Sequence, residues 1–222
     1  MRYVSFSGGA DSTALAIYLH EQGEEFELVF ADSGAELPET LWFVPRVAKQ
    51  LGVKLTVVSG PTFFQKLTSF GYLLPSFKLR WCTRELKTKP LEAYAPELAV
   101  GICADEFHRM PRAFRPLVDA GITKDEARKL VTKHDLLNPV YRWRSSCSCF
   151  CCPFQRIHDW KNLQREHPDL FALAEKWEEL SLEASGFAWS DRFTLAELRR
   201  YDEAQLEMLR EPREQACAIC QW

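Results

Sequence analysis

An α/β fold, with a parallel sheet covered by helices on both faces and a helical C-terminal extension, is predicted by three features of this 222-residue sequence. Short apolar runs alternate with helix-period segments through the first 60 residues. The connections between them are only a few residues long. After residue 110 the strand signals stop and helical periodicity takes over.

The elements follow in order. Residues 3–6 (YVSF) read as a short buried strand, and residues 12–20 (STALAIYLH) carry helical apolar spacing. Residues 26–31 (FELVFA) are a second strand. The segment 39–51 repeats the helical pattern through Leu41, Phe43, Val44, Val47 and Leu51, and Gly52 closes it. Residues 53–58 (VKLTVV) and 97–102 (ELAVGI) supply a third and a fourth strand. Thr123 and Glu126 have the spacing of a capping box that opens a helix running to Lys133. Residues 134–155 are irregular and rich in cysteine and aromatics. Helices are predicted over 157–166, 170–184 and 194–209, the last opening on a second Thr-x-x-Glu at Thr194 and Glu197. The predicted division is an α/β domain with a cysteine region over 1–155 and a helical extension over 156–222.

With 46% hydrophobic and 27% charged residues, the chain can build a core. No run approaches the roughly 18 uncharged apolar residues of a membrane span. Met1 leads straight into a glycine-rich loop without a signal-peptide pattern, so a cytoplasmic location is expected. In a reducing compartment the eight cysteines are not a disulfide framework by default. Cys147, Cys149, Cys151 and Cys152 lie too close in sequence to pair easily with one another, Cys217 and Cys220 form a C-x-x-C near the end, and Cys82 and Cys103 stand alone. Metal or iron–sulfur ligation, or thiol chemistry, is the better expectation. Charge is uneven: Lys and Arg outnumber Asp and Glu by 16 to 10 over residues 61–160 but are outnumbered 4 to 8 before and 8 to 13 after. A basic middle suits either a phosphate-bearing partner or a solvated face.

The loop Ser7-Gly8-Gly9-Ala10-Asp11-Ser12-Thr13 lies between the first strand and the first helix. Two adjacent glycines let backbone N–H groups approach a phosphate, and the helix aims its positive end at the same place. Ser7, Ser12 and Thr13 add hydroxyls. Asp11 would repel a bare phosphate, which points to a bridging Mg²⁺. Asp32, ending the second strand, is placed to meet a ribose hydroxyl or a metal, or to cap a turn. Arg80, Arg84, Lys87 and Lys89 form a dense basic cluster. On one α-helix the i, i+3 pair Arg84 and Lys87 would share a face, suited to a second phosphate or to solvent. Arg109 near Asp105 and Glu106 suits either a leaving phosphate or an ion pair.

SGGADS resembles the pyrophosphate loop of the PP-loop ATP pyrophosphatases, also called adenine nucleotide alpha hydrolases. The family implies a Rossmann-like fold that binds ATP with Mg²⁺, cleaves at the α-phosphate and usually adenylates an acceptor. Many members carry lysine where this chain has Ala10. Further segments narrow the resemblance to phosphoadenosine phosphosulfate (PAPS) reductase-like proteins. They are Asp32-Ser33-Gly34 with Glu36 and Pro38-Glu39-Thr40; Arg80-Trp81-Cys82-Thr83 with Leu86-Lys87; Gly101 with Asp105-Glu106 and Arg109; and Cys149-x-x-Cys152-Pro153. The match covers residues 1 to about 170.

Cys149-x-x-Cys152 has a chelating spacing, because two thiolates on a turn converge on one metal. The resemblance puts Cys82 at a cluster-ligand position, but the second upstream position is Thr83. Either Cys147 or Cys151 supplies the fourth thiolate, or the site keeps an open iron. A [4Fe–4S] cluster is the first expectation, with zinc or unligated thiols as alternatives. Cys217 and Cys220 lack the Glu-Cys-Gly-x-His context of true PAPS reductases. They are read either as a thiol pair that handles sulfur or as incidental tail cysteines.

The expected activity is ATP-dependent adenylation of a nucleic acid or small molecule, with Asp11, Lys87 and Arg109 in the machinery, followed by displacement of AMP by a persulfide or cluster-bound sulfide. A sulfur donor such as a cysteine desulfurase is the implied partner, and no membrane is involved. A sulfonucleotide reductase and a non-catalytic, metal-stabilised nucleic-acid-binding module are the alternatives.

Overall fold

The computed structural model describes residues 2–95, 97–109 and 113–208. The chain opens with β1 (Arg2–Ser5), α1 (Ala10–Glu21), β2 (Phe26–Asp32), α2 (Pro38–Leu51) and β3 (Lys54–Ser59). Each right-sized apolar run has become a strand and each helix-period segment a helix. Pro38 starts α2 at a position where its missing N–H is not needed, and Gly52, at φ 66°, ends it in the left-handed conformation.

After α3 (Phe63–Ser69) come α4 (Trp81–Thr83), a π-helical turn over Arg84–Thr88, α5 (Lys89–Tyr94) and β4 (Ala99–Val100). The sheet is parallel throughout in the order β3-β2-β1-β4, with Val4 opposite Leu28 and Leu28 opposite Leu55. The fourth strand is two residues long, shorter than the apolar run over 97–102 suggests. A 3₁₀ turn (Ala104–Glu106), α6 (Pro116–Asp119), α7 (Lys124–Lys133) and a second 3₁₀ turn (Pro139–Arg142) follow. The chain continues through α8 (Ile157–Glu166), α9 (Pro168–Ser185), α10 (Leu195–Arg200) and α11 (Glu203–Met208). Both predicted Thr-x-x-Glu capping boxes are formed. The single helix predicted over 194–209 is two helices. Tyr201 turns extended, at ψ 133°, and Asp202 and Gln205 then exchange backbone-to-side-chain hydrogen bonds that cap a new start.

Alternation along β2 shows how both faces are covered. Leu28 and Phe30 pack with α1, α2 and α7 in one core, whereas Val29 and Ala31 face Leu91 of α5 on the other side. α1 is buried along almost its whole length between the sheet and its neighbouring helices.

A second core joins Phe63, Trp81 and Phe150 to Trp160, Trp177 and Trp189 of the C-terminal part. The Phe63 and Trp177 rings stack with centroids 5.1 Å apart. The C-terminal helices therefore share their core with the cysteine region, and packing is continuous across residues 155 and 156. Buried Glu178 ties this end together by accepting from the backbone N–H groups of Trp189 and Leu195. Among the described residues no helix is long and apolar enough to cross a membrane.

The strand order places β2 on one side of β1 and β4 on the other. The connections leaving β1 and arriving at β4 diverge there, and a crevice opens at the carboxyl ends of these two strands.

Candidate functional site

That crevice is lined by Ser5, Ser7, Gly9, Asp11, Ser12 and Gly101. Its loop is held by its own hydroxyls. Ser7 N–H donates to Ser12 Oγ at 3.3 Å, Gly9 N–H to Ser7 Oγ at 3.3 Å, and both Ser12 Oγ and Thr13 Oγ1 donate to the Gly9 carbonyl at 3.0 and 2.9 Å. The two glycines serve different ends. Gly8 has φ 74°, and a Cβ there would press on Thr40 and Val44 at 3.3 Å, so it allows the loop to lie against α2. Gly9 is the N-cap of α1 and leaves open the space above the helix start.

Three supports come from far along the chain. Asn138, 2% exposed, donates from Nδ2 to the Gly8 carbonyl at 3.0 Å and to Thr40 Oγ1 at 3.3 Å. Ala10 N–H donates to the Tyr141 hydroxyl at 3.0 Å. Gly101 passes so close to the start of α1 that a Cβ there would lie 2.7 Å from Ser12 N and 2.8 Å from the Asp11 carbonyl oxygen. Nothing local in the sequence marks Asn138 or Tyr141 as part of this loop.

The second site is a pocket lined by Cys82, Cys149, Cys151, Cys152, Lys87 and Arg80, among others. The Glu36 carboxylate is its polar hub. It pairs with Lys87 Nζ at 3.1 Å and accepts from Ser33 Oγ at 2.8 Å and from the Cys149 thiol at 3.5 Å. Arg144, 3% exposed, donates to the carbonyls of Ser148 and Cys149 at 3.0 Å each and so braces the cysteine turn from behind. Burial pushes the thiols up, Cys82 and Cys147 to about 11 and Cys149 to about 12, and raises Cys151 as well. Burial alone would lower Lys87, but Cys149 and Glu36 outweigh it and hold the ammonium well above its ordinary value. At pH 7 Cys82 and Cys147 are held as neutral thiols. In the metal-free protein, iodoacetamide is therefore expected to alkylate these positions slowly at pH 7, with rates climbing up to about pH 11. Peptide mapping after timed quenching checks this, and fast labelling at pH 7 would contradict it.

The structure brings Cys82, Cys149 and Cys152 together, with Cys151 beside them, and places Cys147 elsewhere. Cys147 Sγ lies 3.4 Å from Thr40 Oγ1, 3.4 Å from Asn138 Nδ2 and 3.8 Å from the Ser7 carbonyl oxygen, against the nucleotide loop. Arg84 and Lys87 do not share a face. The wider π turn separates them, leaving Arg84 77% exposed and turning Lys87 inward to Glu36. Much of the basic middle is engaged internally, since Lys66 and Lys89 pair with Glu85, and Arg109 and Lys124 pair with Glu106. Thr13 is fully buried with its hydroxyl turned back on Gly9, so it shapes the loop and does not face the crevice. Asp32 accepts from Gly34 N–H at 2.8 Å, capping the turn after β2. Cys217 and Cys220 lie outside the described residues.

The model of the phosphoadenosine phosphosulfate reductase domain family matches residues 2–110, which contain the glycine loop, Cys82, Lys87 and Gly101. Those residues belong to that family. The family match ends before the Cys147–Cys152 turn, so the reductase-family domain contributes Cys82 and Lys87 to the thiol pocket and the later chain contributes the rest.

Two uncharacterized proteins of Methanocaldococcus jannaschii match this chain at 26% identity over 204 residues and 23% over 196. They align with 79% and 78% of it but with only 40% and 46% of their own lengths, so the chain spans less than half of these curated relatives. Among solved structures, PAPS reductase from Candida auris in a phosphate complex has a TM-score of 0.49 at 12% identity, covering 64% of this chain and 77% of its own. NMN synthetase from Francisella tularensis scores 0.46 at 14%, covering 86% and 89%. The U34-tRNA thiolase NcsA from Methanococcus maripaludis, with its [4Fe–4S] cluster, scores 0.40 at 16%, covering 92% and 78%.

Among the described residues no three Cys, His, Asp or Glu side chains are grouped to hold a single metal ion. Zinc needs its donors about 2.0–2.3 Å from one point. Cys82, Cys149, Cys151 and Cys152 line one pocket, a donor set whose chemistry is that of iron–sulfur ligands, each thiolate taking one iron corner.

Proposed function

We propose that the protein binds ATP with Mg²⁺ in the glycine loop, cleaves it between the α- and β-phosphates, and uses the adenylate to thiolate an acceptor. The observation that carries this reading is the cysteine turn. Its first member, Cys147, touches the nucleotide loop, while Cys149, Cys151 and Cys152 line the thiol pocket with Cys82. A nucleotide site and a sulfur-binding site are thereby two residues apart on one turn.

In the proposed reaction the start of α1 and the loop N–H groups hold the phosphates, and Asp11 would help hold Mg²⁺. An acceptor oxygen attacks the α-phosphorus, and pyrophosphate leaves with the bonding electron pair. A sulfide then attacks the acceptor carbon that bears the activated oxygen, the carbon–oxygen bond breaks, and AMP leaves. A [4Fe–4S] cluster on Cys82, Cys149 and Cys152, with Cys151 adjacent, would supply iron for binding sulfur. Lys87 and Arg144 place positive charge around that pocket, where thiolate ligands need it. Protonated thiols must lose their protons on ligation, so the metal-free state is stable as neutral thiols. The sulfur donor, such as a cysteine desulfurase, and a nucleic-acid or small-molecule acceptor belong to this proposal.

A reductase acting on a sulfonucleotide is the second reading, favoured by the family of residues 2–110. Protein purified without oxygen is expected to contain iron and acid-labile sulfide in equal amounts. Both should be lost in Cys149→Ser and kept in Cys147→Ser, because only Cys149 lines the pocket. Absence of iron from the wild type, or its loss in both variants alike, would contradict the assignment. Sulfite made from PAPS without breakdown of ATP would favour the reductase.

A further inference from the structure

The hydroxyls around the glycine loop can be followed proton by proton. A hydroxyl has one proton to donate. Ser12 gives its proton to the Gly9 carbonyl, and Thr13 gives its proton to the same oxygen. With the Ser12 proton committed, the 3.1 Å contact between Ser7 Oγ and Ser12 Oγ is donated by Ser7. Three hydroxyls are thus spent inside the loop.

The fourth is Tyr141, which reaches the loop from 131 residues away. Its oxygen accepts the Ala10 N–H at 3.0 Å, and among the described residues its own proton goes to no partner. The oxygen sits 3.6 Å from where a Gly9 side chain would begin, in the space the glycine leaves above the helix start. Position 10 carries only a methyl group, so the loop itself sends no long donor into that space. Asp11 and Cys147 are its other polar neighbours, and the Arg128 guanidinium lies 4.9 Å over the Tyr141 ring. Burial raises Tyr141 above its ordinary phenol value, which keeps the proton in place.

We propose that the Tyr141 hydroxyl is a phosphate-binding group of the nucleotide site, relaying the Ala10 N–H outward by donating its proton to a phosphate oxygen. This rests on the glycine loop being a phosphate site, as proposed above. A hydroxyl that already accepts from an amide is polarised and donates more strongly, and an anionic acceptor strengthens it further. Arg128 stabilises the ring and adds positive potential.

Tyr141→Phe removes the hydroxyl and keeps the ring under Arg128. Calorimetric titration with magnesium pyrophosphate is expected to show binding about 10-fold weaker than wild type. Adenosine affinity and the melting temperature should be unchanged, a split that a merely structural role would not produce. Equal or tighter pyrophosphate binding by the variant would overturn the inference, leaving the hydroxyl as a cap on Ala10. A parallel loss for both ligands with a lowered melting temperature would overturn it too. Failure of the wild type to bind pyrophosphate or ATP at all would instead bring down the nucleotide-site reading and this inference with it.

Discussion

Gly101→Ala is expected to disable the nucleotide site more completely than any other single methyl group added to this protein. The three atoms nearest the Cβ would all be backbone of the start of α1: Ser12 N at 2.7 Å and the Asp11 carbonyl carbon and oxygen at 2.8 Å. No flexible side chain can move out of the way, so the end of β4 and the start of α1 must separate. Overpacking of this kind costs about 1–3 kcal/mol and sometimes more. The functional loss is larger, because the displaced segment is the one that aims N–H groups at phosphate. A shift of about 1 Å in a positioning element lowers turnover by roughly 100-fold. Gly121→Ala is the matched control. Gly121 has φ 71° but nothing within 4 Å of its would-be Cβ, so only local strain of about 1–2 kcal/mol is expected, with nucleotide binding kept. Melting curves and ATP titrations of the two variants check this. Equal effects would show that close approach at Gly101 is not the constraint.

The second large effect is expected at Lys87→Met. Lys87 Nζ lies 3.1 Å from Glu36, whose side chain is 4% exposed, and among the described residues no other ion pair to Glu36 is formed. Removing the ammonium leaves a buried carboxylate among the Cys149 and Ser33 donors with its charge uncompensated, a loss of about 3–5 kcal/mol. The double variant Lys87→Met, Glu36→Gln removes both charges and is expected to recover most of the stability. Denaturant unfolding of the two singles and the double measures the coupling. An additive result would mean that the pair does not organise the pocket.

The nucleotide loop was legible because everything that makes it is contiguous: a strand, two glycines, hydroxyls and a helix with its N-terminus at the loop. Capping chemistry was equally local, and the boundaries of α7 and α8 follow the sequence closely. What lay hidden needs the folded chain. Asn138 and Tyr141 sit in an irregular segment and meet the loop only through tertiary packing. α-Helical spacing would put Arg84 and Lys87 on one face, and one π turn is enough to separate them. Cys147 and Cys149 are two residues apart, yet the turn between them sends one to the nucleotide loop and the other to the thiol pocket. The basic middle looked available for a partner because a count of charges does not show that Glu85 holds Lys66, Arg84 and Lys89 and that Glu106 holds Arg109 and Lys124.

The position at which ATP is cut tests the central proposal most directly. Oxygen-free protein with Mg²⁺, ATP, sulfide and total cellular RNA as acceptor should release AMP and pyrophosphate in equal amounts, release should fall when the RNA is left out, and Gly101→Ala should lower it by roughly 100-fold. Formation of ADP and phosphate, or sulfite production from PAPS with ATP left intact, would contradict it.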